Sequence, residues 1–259
     1  MSIAYFDAHA HLQDKRLESD LATILAKCRR VGVARWVVNG TRESDWSRVR
    51  ALADFHADLT PSFGLHPWYA ATRSSDWLAQ LDRELQGGAI GVGEIGLDRW
   101  IRNHNINDQK LVFLNQLLLA HSHELPASIH CLGAWGHLLE CLQEAPRLKR
   151  GFLLHSYGGP REMVAQFAKL GAYFSLSGYF FHGRKRQQLE TLLHTVPSDR
   201  LLLETDAPDM ALPEHDEKAF NSPRNLIAIY QCAAEALEEP IDQFACRIAE
   251  NFQCLFGSS

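Results

Sequence analysis

"YFDAHAHL", residues 5–12, sets three polar side chains into what otherwise reads as a buried strand. Side chains of a strand alternate between faces, so Asp7, His9 and His11 share one side while Phe6, Ala8 and Ala10 share the other. An unpartnered buried polar group costs roughly 1–3 kcal/mol, so that side requires a partner. Solvent could serve at a sheet edge, and a metal ion could serve where the strand ends in a site. The rest of the chain decides between them.

Short apolar, β-rich runs alternate with longer stretches of helical periodicity. Strands are expected at 3–9, 34–39, 60–65, 89–94, 126–130, 151–155, 171–177 and 200–205. Between them, residues 107–124 read as a helix capped at Asn107–Asp108, with Leu111, Leu114, Leu118 and His121 along one face. A helical pair at 222–238 and 240–256 closes the chain. Several strands are almost continuously apolar, as parallel strands covered by helices must be. Eight alternating units predict the α/β class and a (β/α)8 TIM barrel, with a doubly wound sheet as the alternative. No repeat, linker or low-complexity tract divides the 259 residues, so one barrel domain, 1–259, is expected.

Composition narrows the function classes. Apolar residues make up 46% and charged residues 22%, enough for a sizeable core. A formal charge of −5 argues against a non-specific electrostatic grip on nucleic acid, though not against a local basic patch. The six cysteines form no C-x-x-C pair and read as reduced thiols. No signal peptide and no membrane-spanning run is visible, which predicts a cytoplasmic protein with no membrane association and no obligate protein partner.

The strand ends carry the chemistry. The first strand finishes in His9-x-His11, the fourth in Glu94, the fifth in His130, the sixth in His155 and the eighth in Asp206. In a barrel those ends converge on one mouth, the face that carries active sites. Four imidazoles and two carboxylates make a metal-ligand inventory. Six ligands exceed what one tetrahedral ion needs and suit two divalent ions bridged by a carboxylate, for which Glu94 is the natural choice. Asp7 is expected to orient one of the histidines from behind.

With these residues assembled, the chain resembles the TatD family of metal-dependent hydrolases, within the amidohydrolase-like barrel superfamily. The motifs that carry the resemblance are "FDAHAHL", "GLHPW", "GVGEIGLD", "ASIHC", "LLHSYGG", "LLLETDAP" and "NSP", which run in order from residue 6 to 223. The resemblance implies a distorted TIM barrel with two metal ions: His9, His11 and Asp206 on one, His130 and His155 on the other, and Glu94 between them. It also implies deoxyribonuclease activity, or in some relatives deacylation of mischarged tRNA. Three departures bear on substrate. Cys131 and Leu132 follow His130 where many members have Ser-Arg, "HSYGG" replaces "HSFSG", and Phe220 stands where an arginine often precedes N-x-P.

Two divalent ions (Zn, Mn, Co or Ni by ligand chemistry, Mg by family habit) would activate water and clamp substrate oxygens. Asp206 is the expected proton acceptor, with Glu94 as its bridging partner in catalysis. Glu204 should point into the barrel beside them. "FFHGRKRQQ", residues 180–188, is the densest basic cluster, and its His182 and Arg184 are expected to touch substrate along with His66 and Asn221. Trp68 and Tyr69 could stack on a base or simply pack. The other histidines lack converging partners, and Cys131 should point away from the site. Three functions remain: a two-metal phosphodiesterase on DNA or short nucleic acids, a deacylase or amidase, and a non-catalytic binding protein. Deacylating relatives often place a carboxylated lysine where Glu94 stands, and the complete ligand set argues against a binding protein. The phosphodiesterase is therefore the expectation.

Overall fold

The computed structural model describes residues 3–213 and 220–257, with the side chain of Arg184 excepted. Eight parallel strands lie side by side in chain order: β1 (Tyr5–Ala10), β2 (Val33–Asn39), β3 (Leu59–Phe63), β4 (Gly91–Asp98), β5 (Ala127–Leu132), β6 (Phe152–Leu154), β7 (Ala172–Leu176) and β8 (Leu201–Leu203). Helices α1 (Leu21–Arg30), α2 (Glu43–Phe55), α3 (Trp77–Gln86), α4 (Ile106–Ser122), α5 (Trp135–Glu144), α6 (Val164–Leu170) and α7 (Arg186–Thr195) connect successive strands. Helices α8 (Leu226–Ala236) and α9 (Ile241–Phe256) then pack beneath β1 and β8. This is the expected (β/α)8 barrel.

The barrel is joined between β8 and β1 by a short seam rather than a full ladder. The Asp206 N–H donates to the His9 carbonyl at 2.9 Å, and the His11 N–H donates to the Ala207 carbonyl at 2.8 Å. The Asp7 carboxylate completes the seam by accepting from the Thr205 N–H at 2.9 Å and the Thr205 hydroxyl at 2.6 Å. Asp7 therefore does not orient a histidine ring, as its spacing suggests. It ties β1 to the segment after β8, and that bond sets Asp206 opposite His9 and His11.

Strand β4 is longer than its apolar run implies. Ile95 and Leu97, both fully buried, carry the alternation on to Asp98, so Glu94 lies inside the strand and Asp98 ends it. Gly96 permits the close approach of β5: it has φ +148°, and a Cβ there would stand 2.0 Å from the His130 carbonyl oxygen.

Helix α4 corrects a second expectation. Its cap is Asn105, whose side chain accepts from the Asp108 N–H, and Leu111 and Leu118 face outward. The buried face instead carries Val112, Phe113, Leu117 and Ala120 together with two glutamines. Gln109 pairs with both the N–H and the carbonyl of Asp98, at 2.8 and 2.9 Å. Gln116 does the same for Leu65, at 2.7 and 3.1 Å. Each carboxamide satisfies a main-chain donor and acceptor that have no strand partner there, so polarity wins the inward positions. Gln109→Leu strands both Asp98 groups, each worth roughly 1–3 kcal/mol when left unpaired. Urea unfolding of that variant is expected to show a loss of that order per group with an unchanged m-value.

Candidate metal centre

Strands β1, β4 and β5 and the residues just beyond β6 and β8 deliver His9, His11, Glu94, His130, His155 and Asp206 to one pocket at the barrel mouth. Glu94 stands at its centre. Its Oε2 lies 3.6 Å from His9 Nε2 and 3.2 Å from His11 Nε2. Its Oε1 lies 3.2 Å from His130 Nδ1 and 2.9 Å from His155 Nε2. One carboxylate oxygen thus faces each histidine pair. Asp206 Oδ1 joins the first pair, 3.8 Å from His9 and 3.5 Å from His11. His9, His11 and Asp206 form one group of donors close enough to share an ion.

The outward nitrogen of each ring shows where its proton sits. His11 Nδ1 is 2.9 Å from the Asn39 carbonyl oxygen, His130 Nε2 is 3.3 Å from Asp98 Oδ2, and His155 Nδ1 is 3.4 Å from Glu204 Oε1. These acceptors can only receive, so each outward nitrogen carries a hydrogen and the inward nitrogen is the one left facing Glu94. His9 Nδ1 is 3.1 Å from the Asn39 carboxamide nitrogen, while the carboxamide oxygen is buried without a partner. The two ends of a carboxamide have the same shape. Turned over, the oxygen accepts from His9 Nδ1 and all four rings are held alike.

The inward nitrogens crowd one another. His9 Nε2 is 3.3 Å from His11 Nε2, and His130 Nδ1 is 3.2 Å from His155 Nε2. Glu94 Oε1 and Asp206 Oδ1 are buried with no hydrogen bond, although nitrogens surround them. Only a positive charge satisfies such an arrangement, and mixed imidazole and carboxylate donors fit a divalent metal. Titration tendencies agree. Burial works to raise Glu94, but His66, His155, His11 and His130 hold it well below the usual range. Burial works to lower His11, yet Glu94 and Asp206 lift it to about 9, and His155 is raised by Glu94 and Glu204 against the same burial. His9 falls to about 4 through burial and the neighbouring His155.

His66 differs in kind. Its Nδ1 accepts the Trp68 N–H at 3.2 Å, so its proton sits on Nε2, which points at Glu94 Oε1 from 3.5 Å. Burial, with His130 nearby, holds it down to about 4. It is a neutral N–H donor at the edge of the cluster. Asp206, at φ +53°, is pushed up to about 7 by burial, which the neighbouring histidines only partly offset.

The remaining expected contacts fall elsewhere. Asn221 is fully buried and donates to the Thr205 carbonyl at 2.7 Å while its oxygen accepts from Asn225, so it braces the Asp206 segment and has no group left for a ligand. His182 Nε2 meets the Ala211 carbonyl at 2.9 Å, joining the loops after β7 and β8. The Arg184 side chain and His215 lie outside the described residues. Asn39 and Asp98 went unweighed in the sequence, although each closes an apolar strand run as the ligands do. Asp98 is almost fully buried, and hydrogen bonds from His130, Trp68 and the Trp100 N–H overcome that burial to hold it at about 2.

The model of TatD related DNases matches residues 6–257. The chain belongs to the TatD family. TatD-family relatives include the "3'-5' ssDNA/RNA exonuclease TatD" of Erwinia amylovora, 31% identical over 97% of this chain and 99% of that protein. The "uncharacterized metal-dependent hydrolase YjjV" of Escherichia coli K12 is 28% identical over 99% of both chains. Its crystal structure superposes with a TM-score of 0.93 over 100% of both chains. A TatD-family hydrolase from Entamoeba histolytica shares the fold at TM-score 0.86 and 19% identity. This TatD-family chain is accordingly a metal-dependent hydrolase.

Two outcomes test the centre without any substrate. Adding Zn or Mn to chelated protein at 100 times Kd should stabilise it by about 2.7 kcal/mol, a rise in Tm of about 5–10 °C for a chain of this size. Glu204→Gln removes the charge behind His155 and should weaken metal affinity by about 10- to 100-fold in a chelator competition.

Proposed function

We propose that the protein is a two-ion phosphodiesterase that trims single-stranded nucleic acid. The observation that carries this reading is Glu94, which offers one oxygen to each of two histidine pairs. His9, His11 and Asp206 would hold one ion, His130 and His155 the other, with Glu94 common to both. Nitrogen-rich donors suit Zn, Mn, Co or Ni at rest better than Mg. Such ions, when bound, make water acidic enough to attack at neutral pH and neutralise charge on phosphoryl oxygens. Nucleic acid as substrate is supported by the exonuclease name of the Erwinia amylovora relative and by the description of the family.

The chain's own residues supply the rest. Asp206, 3.8 and 3.5 Å from His9 and His11, would accept a proton from the attacking water and return it to the leaving oxygen. His66 keeps its Nε2–H aimed into the pocket, where it donates to a non-bridging phosphate oxygen. Asn221 and Thr205 keep the Asp206 segment in place, so that the carboxylate need not reorganise during reaction.

Release of nucleotides from end-labelled single-stranded DNA, compared with Mn, Mg and Zn, tests the reading. Metal-dependent release is expected, with none from Glu94→Ala prepared in parallel as the contamination control. His66→Gln should lower kcat by about 10²- to 10³-fold, as loss of a preorganised donor does. Failure to release nucleotides by protein shown to hold two ions would overturn the phosphodiesterase and favour an acyl ester as substrate.

A further inference from the structure

Trp68 is 58% exposed, yet it is not loose. Its indole N–H donates to Asp98 Oδ2 at 2.7 Å, and its main-chain N–H donates to His66 Nδ1. Pro67, which opens the short 3-10 helix Pro67–Thr72, fixes the backbone that carries it. The ring centroid lies 5.0 Å from that of His66 and 6.4 Å from that of His130. A large aromatic face is therefore held rigidly in solvent beside the metal centre. Trp100, Tyr179 and Phe220 are exposed as well, in the segments after β4, β7 and β8, whereas Val31, Phe55, Leu111 and Leu118 lie on helices or at their ends.

An indole exposed for packing reasons has no need of a buried carboxylate to fix its plane. Asp98 is that carboxylate, and the same oxygen faces His130 Nε2. The anchor leaves the face free and holds its edge, so a ligand that stacks there meets a surface whose ordering cost is already met by the fold. We propose that Trp68 is the stacking platform for the base of a nucleotide whose phosphate lies at the metal centre. This rests on the phosphodiesterase reading and adds to it the place where a base is recognised. Every base offers a π face, so the platform selects for nucleotides over base-free sugar phosphates without reading sequence.

Calorimetry on Zn-loaded protein with thymidine 5′-monophosphate and with deoxyribose 5-phosphate tests the assignment. Wild-type protein should prefer the nucleotide by about 5- to 150-fold, the range that base–aromatic stacking supplies. Trp68→Ala should bring the ratio close to one, and Trp68→Phe, which keeps a ring but loses the N–H, should retain most of it. Taking the ratio within each protein cancels any change that the substitution makes at His130. A wild-type ratio near one, or a ratio that survives Trp68→Ala, would overturn the platform and leave the phosphodiesterase standing. Binding of neither ligand to wild-type protein would overturn both.

Discussion

Four imidazole nitrogens turned inward, around one buried carboxylate, form the constraint to which the rest of the structure answers. Ring nitrogens 3.2–3.3 Å apart crowd one another, and a carboxylate away from water is costly. Each ring must therefore be held from behind. Asn39, Asp98 and Glu204 do that holding, and each of them lies near the end of a different strand. The pocket is built as much from its outer acceptors as from its inner donors.

The bonds that shape the barrel are also those that place the site. The seam between β1 and β8 runs through His9, His11, Thr205, Asp206 and Ala207, so closure and ligand placement are a single event. On the opposite side, Gln109 and Gln116 of α4 grip the main chain at Asp98 and just before His66. Local loss of either grip would be felt first at His130 and His66 rather than in the hydrophobic core.

Much of this was legible from residue order. Strand positions could be read because a parallel strand announces itself as an apolar run, and the six expected ligands come together because the ends of those runs converge on one mouth. The failures share a cause. Asp7 reads as the group that orients a histidine, but its partner is Thr205, 198 positions away in the chain. Leu111 and Leu118 read as the core face of α4 because leucine outweighs glutamine in any hydropathy pattern. Only the unpaired main-chain groups at Asp98 and Leu65 make glutamine the inward choice. Asn221 was read from its motif as a substrate contact, and its two carboxamide ends turn out to be occupied within the protein. Pattern reports burial; it does not report the partner.

The acceptors behind the four rings are unequal, and that inequality reaches the metal. His130 and His155 are backed by carboxylates, Asp98 and Glu204, whereas His9 and His11 are backed by the amide and carbonyl of Asn39. A charged acceptor draws the outer hydrogen further from its ring and leaves the inner nitrogen richer in electrons than a neutral one does. A cation held by His130 and His155 would receive that extra charge through its rings, whereas one held by His9 and His11 would receive charge directly from Asp206. The two sides of Glu94 thus carry their charge at different depths, one carboxylate among the donors at Asp206 and two behind the rings at Asp98 and Glu204.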